Sequence, residues 1–166
     1  LTNTEPMTEV KDVPLLVRRE IEALIAAPLI RAFAEEIGME KAAEIAGEVI
    51  RGLAKEAGRS MAAMVEDNTV ENFVTDLLPI FKKGALDLEM VMQSEGLACW
   101  DTTRCRYAEM YKRLGLEDMG FILSCGRDAA LFEGYNPDIR FTRTQTVMEG
   151  GRCCDFCLEA KKDTRP

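Results

Sequence analysis

The 166-residue chain contains no histidine. That absence excludes Ser-His-Asp and Cys-His catalysis, and any histidine-ligated zinc, within the chain. Acid–base chemistry is left to carboxylates, thiols, tyrosine, lysine or bound water. Long apolar runs are missing too. No stretch approaches the ~20 residues that a membrane span needs. No basic-then-apolar leader opens the chain, so neither a signal peptide nor a membrane partner is expected. Positive charge is in the minority: 21 Lys and Arg stand against 29 Asp and Glu, a net charge of −8. A negative surface repels phosphate backbones, and no basic stripe offsets it, so nucleic acid is not an expected partner.

What is present reads as an ordinary globular domain. Hydrophobic residues make up 47% of the chain and charged residues 30%, a composition that folds rather than stays disordered. At this length a core forms without staples. The six cysteines therefore read mostly as reduced thiols in a reducing compartment, the cytoplasm.

Residues 1–13 are polar and irregular, which predicts a flexible terminus ahead of a single domain over 14–166. Its first part, 14–84, is helical. Val17, Ile21, Ile25, Leu29, Phe33 and Ile37 recur every four residues. Pro28 lies inside this run and is expected to kink or divide the helix, and Gly38 to stop it. A second run, Met39 to about Asp67, repeats Ile45, Val49, Leu53, Ala57, Met61 and Val65. Gly47, Gly52 and Gly58 weaken it by roughly 1 kcal/mol each against alanine, so close helix packing is their expected role. Asn68 is the expected N-cap of a third helix over Val70–Phe81, with Pro79 bending its last turn.

The second part, 85–160, carries the sheet. Leu86, Leu88, Met90 and Met92 alternate with polar and smaller residues, which predicts a half-buried strand. Residues 97–103 form a strand or connector, Arg104 to Leu114 a helix ending at Gly115, and 117–133 short helices broken near Gly126. Ile139–Met148 and Cys153–Ala160 read as a hairpin joined through Gly150-Gly151. Helices first and antiparallel strands afterwards define an α+β fold: N-terminal helices packed on a small antiparallel sheet that ends in a β-hairpin.

Cys154-Asp155-Phe156-Cys157 is formally a C-x-x-C. Side chains alternate along a strand, so its two thiols point to opposite faces and do not chelate or pair with each other. In Cys125-Gly126-Arg127-Asp128, a helix N-terminus and an arginine beside Cys125 would lower its thiol pKa. A buried structural thiol is the competing reading, and spacing alone favours it. Arg140, Thr142, Thr144 and Thr146 share one face of the first hairpin strand, and Arg143 and Gln145 the other. Such faces are usually just wet; a concave one could bind a carboxylate through bidentate arginine.

Several of these motifs occur together and in order: Thr103-Arg104-Cys105-Arg106-Tyr107, Tyr111-Lys112-Arg113-Leu114-Gly115, Ser124-Cys125-Gly126-Arg127-Asp128, Glu133-Gly134-Tyr135-Asn136-Pro137, Arg143-Thr144-Gln145-Thr146, and Gly150 through Cys154-Asp155-Phe156. Over about residues 98–160 the chain resembles the L-2-amino-thiazoline-4-carboxylic acid hydrolase family. It departs from the family's frequent Gly-Asp at the hairpin turn, where it has Gly150-Gly151. The resemblance implies a hydrolase for a small carboxylated cyclic amidine, acting on its carbon–nitrogen or carbon–sulfur system; no cofactor and no metal are expected in our own reading.

Our assignment of roles places Cys125, as thiolate, or water activated by Asp128 as the attacking group. Arg143 or Arg127 would hold the substrate carboxylate, and Cys105, Cys154, Asn136 and Asp155 would line the site. Two other readings stand beside this one. The domain could be a non-catalytic small-molecule sensor, since helices followed by a cysteine-bearing hairpin also occur in sensor domains resembling 4-vinyl reductases. It could also hold zinc on Cys105, Cys125, Cys154 and one acid. Apolar faces left exposed on the long helices would make the protein a homodimer.

Overall fold

The computed structural model describes residues 12–161; most of the terminus expected to be flexible lies outside them. Helix α1 spans Leu15–Ile37 and α2 spans Met39–Ala62. Gly38 separates them with φ 84°, which a side chain would oppose. Of the two effects expected of Pro28, a kink or a division, the second does not occur: α1 is not divided. Pro28 sits on the exposed side of the helix, where water can serve the Leu24 carbonyl that loses its donor. The third helical segment is α3 (Val70–Asn72), a π-turn (Phe73–Leu77) and α4 (Leu78–Lys82). The wide turn directly before Pro79 is one way a helix absorbs proline. Thr69, not Asn68, caps it by accepting the Asn72 N–H; the Asn68 amide instead donates to the Tyr135 carbonyl, 2.9 Å away.

Strands β1 (Leu86–Ser94), β2 (Leu97–Cys105), β3 (Ile139–Thr142) and β4 (Cys154–Ala160) form one antiparallel sheet in the order β1-β2-β4-β3. The fold is α+β, with helices against one sheet face. Ala98, Trp100 and Thr102 of β2 lie opposite Leu158, Phe156 and Cys154 of β4, and all but Phe156 are fully buried. They meet Phe73, Leu77, Phe132 and Tyr135 in the main core. A second core joins α1 and α2 to α5 (Arg106–Arg113) and α6 (Glu117–Leu123).

Two expectations for the sheet are corrected. The expected helix over Arg104–Leu114 begins two residues later, because β2 runs through Cys105. The hairpin strand also stops early: β3 ends at Thr142, and residues 143–153 form a loop with a 3₁₀ turn at Val147–Glu149. Thr144 and Thr146 are therefore not on a strand face. Polar side chains explain the stop. The Asp155 carboxylate accepts from the Thr144 N–H and the Gln145 N–H, each at 2.9 Å, and takes both amides out of the ladder.

Four cysteines are free, and Cys99 and Cys157 are joined as a disulfide. The register places these two opposite each other across β2 and β4, with Cα atoms 4.1 Å apart. The partner of Cys157 thus comes from another strand, not from the C-x-x-C.

The close-packing role expected of the helix glycines holds at Gly58. A Cβ there would lie 2.1 Å from the Leu131 carbonyl oxygen, and one at Gly134 would lie 2.0 Å from that of Lys55. Helix α2 crosses α7 (Asp128–Tyr135) backbone to backbone at this point. Gly52 faces open space. The crossing matters because α7 carries Asp128 at its first residue.

Candidate active site

A cavity of ≈ 100 Å³ opens where the sheet's core face meets the starts of α1, α5 and α7. Each wall has a local cause. The end of β2 delivers Thr102 and Cys105, and the chain turns there into α5, bringing Tyr107 inward. A 3₁₀ turn at Cys125–Arg127 separates α6 from α7 and presents Cys125, Arg127 and Asp128. The loop after β3 folds over the start of β4, where the Val147 N–H meets the Cys154 sulfur at 3.2 Å. That fold swings Arg143 inward over the rings of Phe141 and Phe156, 5.8 and 5.4 Å from their centroids.

Arg143 donates to the Asp128 carboxylate and, at 3.2 Å, to the Cys125 carbonyl. The Asp128 side chain keeps 30% of its surface accessible, and that surface lines the cavity. Burial pushes its pKa up to about 6, against the pull of Arg143 and then of Arg127 and Arg19. Arg127 is buried and already engaged, with Nε on the Leu123 carbonyl at 2.7 Å and a terminal nitrogen on Glu22 at 2.8 Å. Burial lowers its pKa, with Arg19 adding to the effect. Arg19 also lines the cavity and pairs with Glu22 through one terminal nitrogen. Arg143 is the guanidinium bonded to Asp128, and its remaining donors can serve a ligand.

Cys105, Cys125 and Cys154 all line this one cavity. The expected activation of Cys125 is overturned: its pKa is raised, first by burial and then by the Asp128 charge. The Asp128 carboxylate, three residues on, outweighs the opposing pull of the Arg143 cation at the sulfur. Burial also raises the Cys105 thiol, and it pushes Cys154 up to about 11 and Tyr107 up to about 12. All four groups are neutral at pH 7. Among the described residues no three or more Cys, Asp or Glu side chains are arranged to hold a metal ion, so the three thiols share a wall without forming the zinc set considered above.

Two expected site residues lie elsewhere. Asp155 is on the other sheet face and ties down the loop that carries Arg143; the Thr144 hydroxyl also donates to it, at 2.5 Å. Asn136 accepts from the Asp138 N–H and donates to the Asn68 carbonyl, each at 2.8 Å. Two groups missed by sequence reasoning are Thr102 and Tyr107. Both line the cavity, and their hydroxyls are buried without a hydrogen-bond partner. Such orphans call for an explanation, and both hydroxyls are polar groups that a molecule bound in the cavity could engage. The motif around Cys105 includes Tyr107; nothing in the sequence marks Thr102.

The L-2-amino-thiazoline-4-carboxylic acid hydrolase family model matches residues 18–158. The chain belongs to this family. The match reaches back through α1 and α2, which carried no recognisable motif. No curated protein sequence matches the chain significantly. Among solved structures, the phenol-responsive sensory domain of the transcription activator PoxR, bound to phenol, aligns with a TM-score of 0.51 and 10% identity, over 83% of this chain and 73% of that one. Trafficking protein particle complex subunit 3 from Naegleria fowleri, covalently bound to palmitic acid, aligns with a TM-score of 0.50 and 8% identity, over 90% and 99%. At these identities the likeness is one of fold.

For a member of the hydrolase family, the cavity offers a definite chemical set. It has one carboxyl group that titrates near neutrality, three guanidiniums of which Arg143 is bonded to that carboxyl, two unpaired hydroxyls and three neutral thiols. That set suits general acid–base chemistry on an anionic small molecule.

Proposed function

We propose that the protein hydrolyses a small carboxylated cyclic amidine in this cavity, by attack of a water that Asp128 activates. The observation that carries the reading is the Asp128 carboxyl. Burial raises it to about 6, and it stands beside Arg143 and the unpartnered Thr102 and Tyr107 hydroxyls. A base near the working pH is effective. Arg143 takes the substrate carboxylate, and the hydroxyls orient the ring. Asp128 accepts a proton as the water oxygen bonds to the ring carbon bearing the amino group. The substrate enters as the amidinium, so its ring nitrogen already carries the proton it keeps. The carbon–sulfur bond then breaks, Asp128 returns its proton to the departing sulfur, the hydroxyl proton leaves to solvent, and the carbon is left as a carbamoyl group. The raised thiol of Cys125 favours water over a covalent route.

The test is turnover of L-2-amino-thiazoline-4-carboxylate, with metal content measured on the same sample. Asp128→Asn is expected to slow it by about 10²–10⁴-fold, while Cys125→Ser keeps it within about tenfold. Equal turnover by wild type and Asp128→Asn would remove Asp128 as the base. A second reading, a sensor that binds without catalysis, is favoured by the shared fold with a phenol-responsive sensory domain. Absence of turnover in metal-free and metal-supplemented protein, with binding retained, would select it.

A further inference from the structure

Behind Asp128 lies a second chamber of ≈ 70 Å³. It adjoins the first along Phe81, Leu86, Thr102, Asp128, Leu131 and Phe156, which line both. Its own walls are Phe73, Leu78, Trp100 and Phe132, each no more than 7% exposed. Thr102 and Asp128 are its polar members, and both sit on the shared boundary. Close-packed interiors leave few voids larger than a water. A water needs two or more polar partners, which the inner walls do not supply. An unsubstituted aminothiazoline carboxylate is a single small polar ring. Seated on Arg143, it leaves this chamber unfilled.

We infer that the second chamber is a subsite for an apolar, preferably aromatic, group on the ligand. The substrate class is then an amphipathic anion, with its carboxylate at Arg143 and an uncharged ring or branched chain among Phe73, Leu78, Trp100 and Phe132. This rests on the polar chamber being the ligand site proposed above. The stacked pair Trp100–Phe156, 5.3 Å between centroids, walls the chamber, so an aromatic guest meets ring edges and faces in reach.

The chain's one tryptophan is Trp100, so intrinsic fluorescence reports on this chamber. Titration with 3-phenylpropionate is expected to change Trp100 emission, and calorimetry to give affinity about tenfold or more above acetate. Leu78→Phe, which fills the chamber, is expected to remove that advantage and leave binding of L-2-amino-thiazoline-4-carboxylate unchanged. Equal affinity for the two acids with silent fluorescence overturns the subsite, and this measurement needs no variant. If the aminothiazoline is hydrolysed but 3-phenylpropionate neither binds nor competes, the subsite falls and the hydrolase stands. If 3-phenylpropionate binds and no aminothiazoline is turned over, the subsite stands and the hydrolase reading falls.

A separate observation concerns the outer face of α1 and α2. Eleven large apolar side chains on α1 and α2, from Val17 to Leu53, are 44–61% exposed. They leave on the order of 900 Å² open, close to the ≈ 800 Å² per partner of a standard interface and more than a monomer usually leaves bare. Residues 23–30 of α1 carry no charge. Ile21, Ile25, Leu29 and Phe33 form an i, i+4 ridge, and an apolar groove of ≈ 430 Å³ lies between α1 and α2. Ridge and groove on one surface are self-complementary under a two-fold axis.

We propose that a second copy of this chain covers the face, with α1 crossing α1 near Pro28. Light scattering is expected to give twice the 18.5 kDa chain mass at micromolar concentration, and Ile25→Glu, at a site 60% exposed, to give a folded monomer. A monomeric wild type, a dimeric Ile25→Glu, or binding to neutral lipid vesicles without self-association would overturn it.

Discussion

Asp128 combines a structural liability with a chemical use. Its carboxyl is neutral more readily in the folded protein than in the unfolded chain, about 6 against 3.8. Between these values the native state binds the extra proton, so stability falls as pH rises. The contribution is fully present below about pH 4 and is lost as pH passes through about 6. A shift of this size corresponds to about 3 kcal/mol at most. Chemical denaturation across pH 4–7 is expected to show this decline in wild type and a flatter profile in Asp128→Asn. Turnover should move the opposite way, rising through about pH 6 as the base form appears. An acid limb unchanged in position by Arg143→Gln would show that another group titrates, since losing that cation raises the Asp128 pKa further.

At the scale of elements, the α2–α7 crossing holds the site's geometry. Gly58 and Gly134 let the two backbones touch, and this sets where the first turn of α7 places Asp128. Helix propensity alone predicts that glycine-to-alanine changes in α2 stabilise by about 1 kcal/mol. That gain is expected at Gly52, which faces open space. At Gly58 the added methyl meets the Leu131 carbonyl, so Gly58→Ala is expected to lower Tm and to reduce turnover by shifting Asp128. Thermal melts of the two variants side by side separate propensity from packing. Equal stabilisation by both would mean the crossing yields easily. The loop over residues 143–153 plays a comparable part for Arg143, held by Asp155 from the far face of the sheet.

The whole molecule has two sides with opposite demands. One encloses a cavity between the sheet and the helix starts; the other bares the ridge of α1. No helix among the described residues is long and apolar enough to cross a membrane. Covering that ridge with a second copy links folding to association, so Tm is expected to rise with protein concentration in wild type and not in Ile25→Glu. A Tm independent of concentration in both would count against the dimer.

Much of this was legible in the sequence. Apolar periods of four and two located α1, α2 and β1. Gly38 marked a boundary, because a positive φ is a local requirement. The ordered motifs from Thr103 to Phe156 pointed to the family, and Cys105, Cys125 and Asp128 lie together as those motifs suggested. What remained hidden depended on groups far apart in the chain. The Cys99–Cys157 bond follows from strand register, and the end of β3 from the reach of Asp155 across the hairpin. The state of Cys125 stayed open between an activated and a buried thiol, because a helix N-terminus and an arginine are visible in sequence, whereas burial and the orientation of a neighbouring carboxylate are not. Thr102 and Trp100 were invisible as site residues for the same reason. Periodicity and turn chemistry are local, so most of the elements, and with the ordered motifs the family, could be read along the chain. Desolvation, register and the meeting of two chambers are properties of packing, and they emerge once distant segments are brought together.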